Sequence, residues 1–282
     1  MNCPSRCKIS HPMTNLIYQK NAISTQEKAL LLSEIASYQP IWEHRYSKSN
    51  PPPQGKENRM LLRPVYWLGN WQFACLNYYH PPKGIDFRCV KAEAFPKTMD
   101  KIVKRIENTV RTQFLEKDVP RSWHLNTCLI NFYGDRMIDG KKTDAARVGE
   151  HRDFEPGPVA SVSFGERALF QFVKSTHRDG ASQVILQQWL EDSSLQIFGG
   201  DRFKKQLFHR VQRVENKLKL DFSPKVEGFK TRRINLTFRY VPTEHIFDYH
   251  KMPVPKQKDI SPYIKQLKEN SAFFSKIDLP NE

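Results

Sequence analysis

Between Val159 and Val241 the chain is cut into short apolar segments by turn-forming residues, and nothing else in the sequence restricts the fold so tightly. Val159–Phe164, Ala168–Val173, Val184–Leu190, Ser194–Phe198, Leu207–Val211 and Arg233–Val241 each have strand length. Gly165-Glu166-Arg167, Glu191-Asp192 and Gly199-Gly200 punctuate them. Short strands following one another with turns between predict an antiparallel sandwich or barrel. With helical periodicity found only in the flanking segments, the expected class is α+β and mainly β.

The last of these strands alternates without a break. Ile234, Leu236, Phe238 and Tyr240 fall on one face, and Arg233, Asn235, Thr237 and Arg239 fall on the other. An ordinary half-buried strand would show such a polar row to water. A second reading is a ligand row: the strand spans roughly 20 Å, and arginines leaning inward from its two ends can hold a small dicarboxylate. Arginine suits this because its planar fork binds a carboxylate through two parallel hydrogen bonds. Upstream stands His151-Arg152-Asp153, and His209 lies between the two motifs. A His-x-Asp pair with a distant histidine is the facial ligand set of non-haem Fe(II) sites, which leaves coordination positions open for reactants. Alone, such a pair is more often an ordinary core or surface feature; its company gives it weight. The same residues superficially resemble a kinase catalytic loop, but the Asn expected five positions after the Asp is Pro158, and no Gly-rich nucleotide loop occurs.

Together, Asn131-Phe132-Tyr133, His151-x-Asp153, His209 and the run from Arg233 through Asn235 and Thr237 to Arg239 resemble the AlkB family of Fe(II)/2-oxoglutarate dioxygenases, whose closing motif reads R-x-N-L-T-x-R. The resemblance covers residues 120 to 242 well and the preceding hundred loosely. It implies a double-stranded β-helix of the jelly-roll type with supporting N-terminal helices. It also implies Fe(II) held by His151, Asp153 and His209, with 2-oxoglutarate and O2 as co-substrates. By the same resemblance, Arg239 and Asn131 take the C1 carboxylate, and Arg233, Asn235 and Tyr133 take the C5 carboxylate. The implied activity is oxidative demethylation of N-alkylated nucleic-acid bases, releasing formaldehyde, succinate and CO2. The alternative is the same chemistry on a protein side chain or small molecule. A base must be flipped out or already single-stranded to reach such a centre, so single strands are expected to be accepted. Glu155, two positions past Asp153, stands where the family can place an acidic reader of a base edge; the plainer reading is a surface carboxylate.

Earlier in the chain, Ser24-Thr25-Gln26-Glu27 is a capping-box pattern ahead of the apolar run Leu30–Ile35, which predicts a helix ending at Gln39-Pro40. Tyr66, Trp67, Trp71, Phe73, Tyr78 and Tyr79 then crowd one stretch. Aromatics at that density are usually core residues. In the resembled family this region forms a nucleotide-recognition lid, which makes Trp67, Trp71 and Tyr78 candidates for stacking on a base, a contact worth about 1–3 kcal/mol. Met99, Ile102, Val103, Ile106, Val110 and Phe114 recur at helical spacing. Gly134 to Glu150 is polar and Gly-bracketed, which predicts a loop at the mouth of the site. Past residue 245, a short helix is expected to start near Pro262. The expected organisation is a flexible basic tail over 1–14, N-terminal helices and lid over 15–120, a catalytic core over 121–245 and a C-terminal extension over 246–282.

Composition bears on partners. The formal net charge is +15, and so large a cationic surplus favours a polyanion, because neutralising phosphates releases their counterions. Joined to the motifs, it points to alkylated DNA or RNA; no obligate protein partner is inferred. No apolar run reaches the roughly 18 residues a membrane span needs, and Met1–Cys7 lacks the apolar region of a signal peptide. An intracellular location is expected, cytoplasmic if the source is bacterial. The five cysteines are odd in number and scattered, and do not read as a disulfide framework.

Overall fold

The computed structural model describes residues 15–45, 59–72, 89–175, 182–214, 226–269 and 271–279. In chain order its main strands are β1 (Leu16–Gln19), β2 (Val65–Leu68), β3 (Thr127–Ile138), β4 (Lys141–Asp144), β5 (Val148–His151), β6 (Val159–Gly165), β7 (Ala168–Ser175), β8 (Ser182–Leu190), β9 (Ser194–Phe198), β10 (Phe208–Gln212) and β11 (Phe229–Arg239). The larger sheet runs β1-β9-β6-β11-β3-β2, with β4 hairpinned onto β3; the smaller runs β8-β7-β10-β5. Every pairing in both is antiparallel. The two sheets form the jelly roll.

Alternation along β11 decides which side of the larger sheet faces what. Ile234, Leu236 and Phe238 are fully buried on its outer face. They join a core with α2 (Lys97–Gln113), whose Met99, Ile102, Val103, Ile106 and Val110 are all buried. Each such side chain contributes about 1.5–3 kcal/mol relative to exposure. The first helix, α1 (Thr25–Ile35), starts as its sequence dictates: Ser24 Oγ accepts from the Glu27 amide at 3.2 Å, and the Glu27 carboxylate accepts from the Ser24 amide at 2.9 Å. A second apolar cluster, built on Phe170, Phe172, Phe198 and Phe203, lies between the sheets. The polar row of β11 faces into this intersheet space.

Two segments differ from expectation. Gly134 to Glu150 is not a loop: β3 continues to Ile138 and returns as β4 through Asp139-Gly140, both at positive φ (48° and 73°). That is the two-residue turn whose twist matches antiparallel strands. Glycine is required at 134, because a Cβ there would lie 1.9 Å from the Lys230 carbonyl oxygen on β11. At the C-terminus, α3 (Val254–Lys268) begins eight residues before Pro262 and contains it. Pro255 in its first turn costs no hydrogen bond, and Ile260, Ile264 and Leu267 anchor it in the same core as α2.

A buried ion cluster ties the hairpin to β11. Arg232, on the opposite face from Arg233, is 2% exposed. Its Nε donates to both Glu166 oxygens at 3.0 and 3.1 Å, its Nη2 reaches Asp144 at 3.3 Å, and its Nη1 pairs with Asp135. Lys142 adds an ion pair to Asp135 at 2.9 Å.

Candidate active site

The two histidines are delivered by neighbouring strands of the smaller sheet. β10 and β5 pair so that His209 stands directly across from His151, with ring centroids 4.2 Å apart. Asp153 follows two residues after β5 ends and turns its carboxylate toward them. One ligand atom from each of His151, Asp153 and His209 comes within 4.8 Å of the others. His209 Nε2 is 3.4 Å from Asp153 Oδ2. Two donor atoms each about 2.1 Å from one ion at octahedral to tetrahedral angles sit about 3.0–3.4 Å apart, so this spacing fits a shared divalent metal. His151 Nδ1 donates to the Gly149 carbonyl at 2.9 Å, which leaves Nε2 as the ligand atom. The His209 ring is fixed by Phe170, stacked at 5.4 Å, and by Phe198 at 5.2 Å; its Nδ1 is buried without a hydrogen-bond partner among the described residues.

The protonation states suit metal ligation. Burial pushes both imidazoles below the ordinary histidine range; for His209 the neighbouring His151 adds to this, while Asp153 opposes it at both rings. Neutral imidazole is the form that ligates. For Asp153 burial works the other way, but the Arg239 guanidinium, with His209, Lys204 and His151, overcomes it and holds the carboxyl well below the usual carboxylate range. Arg239 contacts Asp153 Oδ1 through Nε at 3.0 Å and Nη2 at 2.8 Å, and its Nε lies 3.5 Å from Glu155. The His151–Asp153–His209 cluster at the smaller sheet and the arginine row on the larger therefore meet through one guanidinium.

The rest of that row is organised by Asn235. Its Oδ1 accepts from Arg233 Nη2 at 2.7 Å, Ser161 Oγ at 2.8 Å and Ser163 Oγ at 3.2 Å, and its Nδ2 donates to Thr237 at 2.8 Å. Asn235 thus holds Arg233 in place and spends its own polar atoms doing so. Arg233 Nε and Nη1 are buried without partners among the described residues. Across the sheet, register sets Asn131 opposite Asn235 and Tyr133 opposite Arg233, and the Arg233 guanidinium lies 4.8 Å from the Tyr133 ring centroid.

His151, Asp153, His209, Glu155, Arg233, Asn235, Thr237, Arg239, Asn131 and Tyr133 line one cavity of about 570 Å³, whose wall also includes Trp67, Gln72, Arg63, Arg147, Arg152 and Phe154. The lid candidates separate. Trp67 is in the cavity wall, its indole N–H donating to Glu43 at 2.6 Å. Trp71 is not: it is 1% exposed, donates to the same Glu43 at 2.9 Å and packs against Tyr263 and Phe274 in the core. Tyr78 lies outside the described residues. Glu155 is a buried group rather than a surface one, accepting from Gln72 Nε2 at 2.6 Å. Arg152, between His151 and Asp153, turns aside and lies 3.9 Å over the Phe208 ring. Sequence reasoning missed Arg63, Gln72, Glu43 and Lys204. Lys204 sits in a turn of π-helix, Arg202–Gln206, with its Nζ buried; burial lowers its affinity for a proton, while Asp153 and Glu155 raise it. None of these four belongs to a periodic pattern that would have marked it.

A family model described as the 2OG-Fe(II) oxygenase superfamily matches residues 15–239. No curated protein matches the chain. Among solved structures it is similar to OsALKBH1, at 21% identity and TM-score 0.48 over 82% of this chain and 99% of that one. It is also similar to the ribosomal oxygenase YcfD from Escherichia coli, solved with cobalt and succinic acid, at 10% identity and TM-score 0.33 over 96% of this chain and 59% of that one. A third likeness is to IDO from Bacillus thuringiensis, at 13% identity and TM-score 0.38 over 81% and 92%.

Proposed function

We propose that this chain, which belongs to the 2OG-Fe(II) oxygenase superfamily, is an oxidative dealkylase of N-alkylated bases in DNA or RNA. Membership carries the cofactors: Fe(II), with 2-oxoglutarate and O2 as co-substrates. What supports the nucleic-acid substrate is the shape and chemistry of the cavity mouth in a chain of net charge +15. The space exceeds what a dicarboxylate needs, Trp67 lines it, Phe154 stands 37% exposed beside it, and Arg147 and Arg152 rim it. A flat, electron-poor ring with a phosphate on either side matches that combination. The AlkB-type motifs point the same way.

In this reading His151, Asp153 and His209 hold the ion. When bound, Fe(II) and 2-oxoglutarate supply the oxidant, consuming O2, releasing succinate and CO2 and inserting one oxygen atom into a substrate C–H bond. The protein's residues do the rest. Arg239 keeps Asp153 ionised and aimed; Arg233, Tyr133 and Asn131 hold the co-substrate; Trp67 and Phe154 hold the base and exclude water. An N-methyl group so hydroxylated becomes N–CH2OH. Its O–H proton passes to the ring nitrogen as the C–N bond breaks, giving formaldehyde and the unmodified base.

The test is release of formaldehyde and succinate by purified protein with Fe(II) and 2-oxoglutarate. Single strands carrying 1-methyladenine or 3-methylcytosine are compared with unmodified strands, with Asp153→Ala as control. Lesion-dependent formaldehyde that disappears in the control is the expected result. Succinate without lesion-dependent formaldehyde would overturn the substrate and leave the oxygenase, acting then on a protein side chain or small molecule.

A further inference from the structure

We propose that Arg63 is a co-substrate-binding residue, the second guanidinium of the distal carboxylate site, supplied from outside the jelly roll; this rests on the co-substrate reading above. Arg63 lies just before β2, in a segment whose backbone is held on both sides. The Leu61 amide donates to the Glu43 carbonyl at 2.7 Å, and the Phe132 amide donates to the Pro64 carbonyl at 3.2 Å. The side chain reaches over β3 into the cavity. Its Nε donates to Asn131 Oδ1 at 2.8 Å, and its guanidinium carbon lies 5.2 Å from the Tyr133 ring centroid. Arg233 lies 4.8 Å from the same ring.

Charge balance gives this pair its meaning. At the other end of the row, Arg239 is matched by Asp153 and Glu155. Arg63 and Arg233 are matched by no carboxylate within ion-pairing distance among the described residues. Their partners are two amide oxygens, of Asn131 and Asn235, a serine hydroxyl and one phenol ring. Two like charges on one aromatic ring, one of them buried with unpartnered N–H groups, form an incomplete arrangement. A carboxylate between them completes it, taking charge-assisted hydrogen bonds from both forks. The bond to Asn131 Oδ1 has a second effect: it turns the Asn131 Nδ2 donors away from Arg63, leaving them for the co-substrate.

Selectivity for the distal carboxylate is what distinguishes this role. The full chain is loaded with Zn(II), which blocks turnover, and titrated calorimetrically with 2-oxoglutarate and with 2-oxopentanoate, the same chain length without the second carboxylate. In Arg63→Gln the 2-oxoglutarate affinity should fall about 10- to 100-fold, the range for one charge-assisted contact. The 2-oxopentanoate affinity should stay within about twofold, so that the preference between the two collapses. Arg63→Lys, which keeps the charge and loses the fork, should fall between; it also stands in should the glutamine variant fail to fold. With Fe(II), the KM for 2-oxoglutarate should rise while kcat at saturation holds. Unchanged 2-oxoglutarate affinity overturns the assignment, with or without weaker oligonucleotide binding, and so does an equal loss for both ligands. If the wild-type protein binds neither ligand, the co-substrate reading itself fails, and Arg63's role goes with it.

Discussion

Replacing Arg232 with methionine should be among the most damaging single changes outside the active site. The residue is 2% exposed and bonded to Glu166, Asp135 and Asp144, and Glu166 is itself 2% exposed. Methionine fills similar volume, so cavity formation is minor and the cost is electrostatic. Lys142 still pairs with Asp135, but Glu166, itself buried, loses both of its charge-assisted bonds to the Arg232 Nε. Removing one partner of a buried pair costs about 3–5 kcal/mol. For a chain of this size that corresponds to a drop in Tm of about 6–20 °C. Urea denaturation followed by circular dichroism gives the free energy directly. The sign of the pH effect is a second check. Burial raises the Asp135 carboxyl, but Lys142 and Arg232 hold it below its ordinary value. The stability this provides is present at neutral pH and lost as pH falls through the carboxylate range, so the gap between wild type and variant should narrow in acid. The triple change Arg232→Met, Asp135→Asn and Glu166→Gln should recover much of the loss. A penalty below about 1 kcal/mol for the single variant would refute the view that these charges depend on one another.

Other expectations are quickly checked. His209→Ala should abolish stoichiometric Fe(II) or Co(II) binding, read by visible absorbance of the cobalt form, while leaving the fold intact; retained binding would remove His209 from the ligand set. His209 is buried and His151 half-buried, and desolvation holds both below the ordinary value of 6.5. The unfolded chain therefore takes up protons first, and metal-free stability should decline as pH falls below about 6.5. A flat profile across that window would contradict the burial. Glu43→Ala strands two buried indole N–H groups, each worth about 1–3 kcal/mol, and should shift tryptophan emission as well as lower the urea midpoint. Trp67→Ala should weaken oligonucleotide binding about 5- to 100-fold with no change in 2-oxoglutarate affinity, whereas Trp71→Ala should act on stability alone.

The His-Asp-His cluster and the arginine row are legible in the sequence because each is strongly typed and local. A His-x-Asp pair needs no long-range information, and period-two alternation in β11 assigns Arg233, Asn235, Thr237 and Arg239 to one face in any sheet. The tryptophans were not separable that way. Gly69, at φ 75°, breaks the strand between Trp67 and Trp71, so parity no longer relates them; both indoles reach Glu43 from the core, and of the two Trp67 alone also lines the cavity. The β3–β4 hairpin carried a turn signal in Asp139-Gly140, but its polar strands hid the alternation that would have marked them. Arg63 had no signal at all: its place in the site depends on β2 pairing with β3, a contact between segments some sixty residues apart in the chain.

The position of β11 also bears on biosynthesis. It is the last strand of the larger sheet to be made, yet it lies at the centre, between β6 and β3. A nascent chain emerging from the ribosome presents both histidines and the aspartate before it presents Arg233 and Arg239. Until residue 239 has emerged, the halves of the larger sheet lack the strand that joins them. Slow, non-local pairing of this kind leaves apolar edges exposed in the interim. A product truncated before β11 would lack its seam rather than an edge, and should be cleared as unfolded protein instead of persisting as an iron-binding fragment.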